Sequence, residues 1–160
     1  MKARQGLVAA VLGAALVGCG VQPTGVVDAG EPAAGLSRGM RLYYESDTGL
    51  RAVPMLDRKI EALDWVVKLL LSPPPVGQGD GLTTLVVMPG PYSATGTGKR
   101  VTLHMEGLYP GDGKGQLVCS LARAQSVLEP KVRAAEVEVT LKPSEGAALG
   151  PHRCAEFLNR

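Results

Sequence analysis

Few residues in this 160-residue chain are of a type and spacing that could do chemistry. Glu136 and Glu138 stand two apart, and a carboxylate pair can divide into general acid and general base when apolar surroundings push the two pKa values apart. Here they alternate with Val137 and Val139 and fall on the polar side of a strand, with nothing apolar around them to raise a pKa. His104 could act as a general base only with a nucleophile beside it, and the sequence sets no serine next to it. Gly98-Lys99 invites a phosphate-loop reading, which fails because Arg100 stands where Ser or Thr is needed and Ser93 where the first glycine is needed. A zinc set can be written from Cys119, Cys154, His152 and His104, but it lacks a CxxC knuckle. Neither a catalytic residue nor a metal or other cofactor is therefore expected.

The remaining cysteine is the informative one. Met1 to Gly6 carries Lys2 and Arg4 and no acid, and Leu7 to Val17 is apolar throughout. At about 1.5 Å per residue that run is too short for a hydrocarbon core of about 30 Å, so it reads as the h-region of an export signal. It ends in Leu16-Val17-Gly18-Cys19, which resembles a bacterial lipobox: small residues before a thiol that accepts a diacylglyceryl group, with cleavage just ahead of the cysteine. The expected organisation is a signal peptide over 1–18, a flexible tether over 19–39 and a folded domain over 40–160. Lipidated Cys19 would hold the protein at the extracytoplasmic face of the cell membrane, each buried CH₂ contributing about 0.8 kcal/mol.

Charge and composition exclude one class of partner. The chain has 17 Lys and Arg against 15 Asp and Glu, and loss of Lys2 and Arg4 with the signal equalises them. Nucleic acid wants a basic stripe with aromatic platforms, but Tyr43, Tyr44, Trp65, Tyr92, Tyr109 and Phe157 are scattered among mixed charges, so no nucleic-acid partner is expected. In an oxidising space outside the membrane, Cys119 and Cys154 are expected to form a disulfide.

The elements that must position these residues follow from periodicity. Met40 to Glu45 alternates as a strand, Ser46 to Gly49 is a turn, and Leu50 to Met55 is a second strand with Pro54 marking an edge. Ile60, Leu63, Val67, Leu70 and Leu71 form a helical stripe capped by Asp57 and stopped by Pro73-Pro74-Pro75. Trp65 and Leu69 fall roughly opposite that stripe, where the tether or tail covers them or a partner binds. Leu82 to Met88 reads as a central strand buried on both faces, and Pro89 to Lys99 as a flexible loop. Val101 to Glu106 is a strand with His104 on its wetter face. Leu117, Leu121, Ala124 and Leu128 define a second helix, with Cys119 on its outer side. Ala135 to Leu141 is a last strand, Pro143 to Pro151 a loop, and His152 to Leu158 a short amphipathic tail. The plan is α+β in the order ββαββαβ, with helices on one face of a single antiparallel or mixed sheet.

That order and several short motifs resemble the GerMN domain of sporulation and spore-germination lipoproteins and of actinobacterial lipoproteins associated with sensor kinases. The matching residues are Arg41-Leu42-Tyr43-Tyr44, then Leu69-Leu70-Leu71-Ser72-Pro73 against the family's Leu-Leu-x-Gly-Pro, then Gly81-Leu82-Thr83-Thr84 and Pro89. Gln116-Leu117-Val118-Cys119-Ser120-Leu121 matches Gln-Leu-Val-x-Thr-Leu. Ser72 replaces the usual glycine, and the cysteine-containing tail departs from the family. The richness in Ala, Gly and Val is similar to that of lipoproteins from high-GC Gram-positive bacteria. The resemblance implies a non-catalytic module that binds another envelope protein; the alternative is a small-ligand-binding envelope lipoprotein with a pocket between the sheet and the segment Pro89 to Lys99.

Overall fold

The alternation that places Leu42 and Tyr44 on one side of the chain makes β1, Arg41–Ser46. It pairs antiparallel with β2, Gly49–Pro54, in the register Leu42↔Val53 and Tyr44↔Arg51. Asp47 and Thr48 form the turn, Gly49 takes a positive φ of 101°, and the Ser46 hydroxyl donates to the Gly49 carbonyl at 2.7 Å. The computed structural model describes residues 39–55, 59–75, 77, 81–88, 90–107, 109 and 111–158. Cys19, the lipobox, the tether before residue 39 and the cap expected at Asp57 lie outside them.

Helix α1, Leu63–Leu70, starts later than the apolar stripe alone suggests, because Lys59 to Ala62 is not helical and buries Ile60 from irregular backbone. Asp64 supplies a negative charge to the first turn, where the helix dipole favours it. At the other end the Thr84 hydroxyl donates to the Leu70 carbonyl and satisfies one of the helix's last acceptors.

Two expectations in the middle of the chain are overturned together. Leu82 to Met88 is not a central strand: it makes a single antiparallel bridge, Thr83 with Glu45, and Val87 is 58% exposed. The reason is that the next partner of its backbone is a side chain. Gln116 accepts the Leu85 N–H through Oε1 and donates from Nε2 to the Thr83 carbonyl, both at 2.8 Å, so a carboxamide stands where another strand's peptide group would be. Conversely, the stretch expected as a loop contains β3, Tyr92–Thr97, joined to β4, Arg100–Met105, by a tight turn at Gly98-Lys99. Its small residues serve close packing. A Cβ on Gly96 would lie 2.1 Å from Gln125 Oε1 and 2.8 Å from Leu63 Cδ1.

From β4 the chain crosses through helix α2, Lys114–Leu128, to β5, Glu138–Pro143, which lies parallel to β4. The strand expected from Ala135 begins at Glu138, after a 3-10 turn over Ala134–Glu136. The expected final loop contains β6, Leu149–His152, antiparallel to β5, with Pro151 at the sheet's edge. Helix α3, Ala155–Leu158, follows. The fold is α+β, with two sheets instead of one: the β1–β2 pair and a four-stranded sheet in the order β3-β4-β5-β6.

α2 contacts both β1 and the inner face of the larger sheet, so the helices do not simply coat one face of one sheet. Its Leu117, Val118, Leu121 and Ala124 meet Val101, Leu103, Val139 and Leu141 from β4 and β5 and the Leu63, Val66, Val67 and Leu70 side of α1 in one buried cluster. Burying each large aliphatic side chain contributes about 1.5–3 kcal/mol. Because α2 is enclosed on several sides, its polar residues are buried as well, and each is satisfied. Ser120 Oγ accepts the Tyr43 N–H at 2.9 Å, and Gln125 donates to the Gly98 carbonyl at 3.0 Å and to Glu129 at 2.8 Å.

Candidate functional site

Cys119 on α2 and Cys154 just before α3 are joined by a disulfide with Cα atoms 4.5 Å apart. Both are buried, since the tail folds across α2 and covers them. The local sequence explains how the tail is held. Glu156 accepts the Arg153 N–H at 2.7 Å and pairs with His152 Nδ1 at 2.8 Å, while the Arg153 guanidinium reaches Glu138 on β5 at 2.6 Å. Phe157 is buried beneath Lys114, whose Nζ lies 6.0 Å from the ring centroid, and the His152 ring meets it edge-on at 5.6 Å. The Glu156 carboxyl is held below the ordinary carboxylate range, first by the Arg153 N–H and then by His152.

The other chemistry-bearing residues are dispersed. Glu136 sits in the 3-10 turn and not on a strand, bonded to Arg133 and 3.4 Å from Lys99, while Glu138 belongs to the pair with Arg153. The hydrogen bond from Arg133 holds the Glu136 carboxyl below its usual range, the wrong direction for a general acid. The four residues of the zinc set are not gathered: two are bridged to each other, His152 is engaged by Glu156, and His104 is on the outer face of β4. Among the described residues no group of three or more potential ligands is placed to hold a metal ion. Trp65 and Leu69 are half-buried on α1 and pack against the core cluster.

His104 has neighbours that the sequence did not reveal. The register sets Ser93 of β3 opposite it on one side and Lys142 of β5 on the other. With Pro91, Met105, Glu106, Pro143 and Ser144 they line an open basin of about 510 Å³. Alternation along β4 and β5 puts His104 and Lys142 on outer faces, but their adjacency depends on a parallel pairing that periodicity does not supply. A second concavity, of about 470 Å³, lies at the end of α2 between Arg123, Val127, Pro130 and Arg133. The Tyr109 hydroxyl is buried and has no hydrogen-bond partner among the described residues, and burial together with Asp112 holds its phenol well above the ordinary range.

Among the described residues no helix is long and apolar enough to cross a membrane. Comparison with known proteins finds no matching family model, no similar curated protein and no similar solved structure.

Proposed function

We propose that the chain is an extracytoplasmic lipoprotein, anchored in the cell membrane through a lipid on Cys19, whose folded part is a non-catalytic, GerMN-like protein-interaction module of the cell envelope. The observation that carries the reading is the use of the cysteines. The chain has three, and the bridge between Cys119 and Cys154 leaves Cys19 as the one thiol, directly after Leu16-Val17-Gly18. A buried disulfide belongs to an oxidising compartment, which the export signal and lipobox would reach. Both halves of the chain thus favour the same side of the membrane.

Packing supports the module over a carrier. The described concavities are open surface basins, and the apolar side chains of the two sheets and α2 fill the space between them. A carrier of an apolar small molecule wants an enclosed cavity with a few convergent polar groups. Leu71, Val87 and Leu158 remain 36%, 58% and 48% exposed and, with Trp65 and Leu69, offer apolar contact to a protein partner. Gln116 and Ser120, from the segment resembling Gln-Leu-Val-x-Thr-Leu, clamp backbone of the Thr83–Leu85 segment and β1, a packing role in keeping with the module reading.

The test is metabolic labelling with a radioactive fatty acid, followed by crosslinking from intact cells. Wild type is expected to carry label, fractionate with membranes and capture a specific envelope protein; Cys19→Ala loses the label, and Trp65→Ala/Leu69→Ala loses the captured protein. Label that persists in Cys19→Ala, or capture indifferent to the helix substitutions, overturns the anchor or the binding surface respectively.

A further inference from the structure

Four polar side chains converge on the basin at the end of β4 and β5, and among the described residues none of them is engaged. Ser93, His104 and Lys142 form one row across three strands, each step about 4.8 Å, on the face of the sheet turned away from α2. Glu106 follows His104 by two residues and emerges on the same side. Within the described residues no side-chain hydrogen bond or ion pair holds Ser93, His104, Glu106 or Lys142. Elsewhere on this sheet and its margins opposite charges do meet, as Lys99 meets Glu136 at 3.4 Å and Arg153 meets Glu138 at 2.6 Å. In the basin, an ammonium and a carboxylate share one concave surface without closing on each other.

The frame beneath them is fixed by the main chain. The Glu106 N–H donates to the Pro91 carbonyl at 2.9 Å, the Ser144 N–H to the Met105 carbonyl at 2.8 Å, and the Gly107 N–H to Ser144 Oγ at 2.9 Å. Gly90 lies directly under Glu106: a Cβ there would stand 3.0 Å from Glu106 Cβ. The Cα atoms of Glu106 and Lys142, diagonal neighbours across the sheet, are about 8 Å apart, which leaves room for a small molecule between the two charged ends. Pro91 and Pro143 supply apolar edges.

We propose that this basin binds a small zwitterion of the amino-acid type, its carboxylate on Lys142 with His104 and Ser93, its ammonium on Glu106, and its side chain against Pro91 and Pro143. Each charge of such a ligand meets an opposite charge that the protein leaves unpaired, so binding forms charge-assisted hydrogen bonds without breaking an existing pair. Because the site is open to water, an affinity of about 1 mM is the expected scale. The site does not depend on the lipid anchor or on the partner-binding reading.

The experiment is an NMR titration of the full chain in neutral detergent with three probes: alanine, alanine methyl ester, which lacks the carboxylate, and N-acetylalanine, which lacks the ammonium. Alanine is expected to produce saturable shifts at the His104 ring and the Ser93 amide, with the two analogues at least about tenfold weaker. Lys142→Gln and Glu106→Gln each weaken alanine by about tenfold with unchanged melting temperature, whereas Arg100→Gln, at the far end of the same strand, leaves it unaltered. The proposal is overturned if alanine gives no saturable shift, if either analogue binds as well as alanine, or if the basin variants bind like wild type.

Discussion

The carboxamide of Gln116 and the backbone of Leu85 form the joint on which the centre of the fold turns. Gln116 Oε1 accepts the Leu85 N–H, and its Nε2 donates to the Thr83 carbonyl two residues earlier, so one buried side chain completes two backbone groups of a segment that has only one strand bridge of its own. An unsatisfied buried backbone group costs about 1–3 kcal/mol, and Gln116→Leu would leave the Leu85 N–H without its acceptor, while the Thr83 carbonyl keeps the Glu45 N–H. The expected loss is about 2 kcal/mol, read as a lower urea midpoint at constant m-value. Gln116→Glu keeps an acceptor for Leu85 but removes the donor to Thr83 and buries a charge, so it is expected to be at least as damaging at neutral pH.

The same joint explains what the sequence could and could not tell. Period-two alternation marked β1, β4 and β5, the turn at Ser46 to Gly49 marked β2, and 3.6-residue spacing marked α1 and α2, whose apolar sides face the shared core. Leu82 to Met88 has a strand's composition, but whether such a run pairs depends on which group lies beside it, and that group is a side chain more than thirty residues away. β3 was hidden for the opposite reason. Ser93, Ala94, Thr95 and Gly96 look like a loop, yet small residues are what the close approach of Gln125 and Leu63 demands at Gly96. The cysteine bridge was legible, since two cysteines remained once Cys19 was assigned. The Ser93, His104 and Lys142 row was not, because it depends on pairing His104 with Ser93 of the unexpected β3 and with Lys142 through the parallel register of β4 and β5.

The bridge between Cys119 and Cys154 closes a loop with a sequence separation of 35 and ties the tail to the central helix. Chain entropy assigns such a crosslink about 3–4 kcal/mol. Cys119→Ala/Cys154→Ala is expected to melt about 10–15 °C below wild type in calorimetry. Wild type in excess reductant should fall to the same temperature once the bridge has opened. Because both cysteines are buried, reduction at 25 °C should lag until local opening exposes them. A double variant that melts like oxidised wild type would remove the bridge from any account of stability.

The tail also sets an acid dependence whose sign is fixed by its hydrogen bonds. Glu156 accepts the Arg153 N–H and pairs with His152, and both contacts favour the carboxylate, so its pKa in the folded chain lies below the ordinary value of 4.5. A carboxyl with a depressed folded pKa contributes stability that is present above the unfolded value and is lost as pH falls through the folded one. Glu156→Gln should therefore melt below wild type above pH 4.5, where the charged form holds the start of α3, and the gap should close as pH falls further. Melting curves of the two proteins over that range cancel the contributions of the other carboxylates, which both share. A gap that is constant into strong acid would show that Glu156 acts through packing alone, and a gap that widened would reverse the sign argued from its partners.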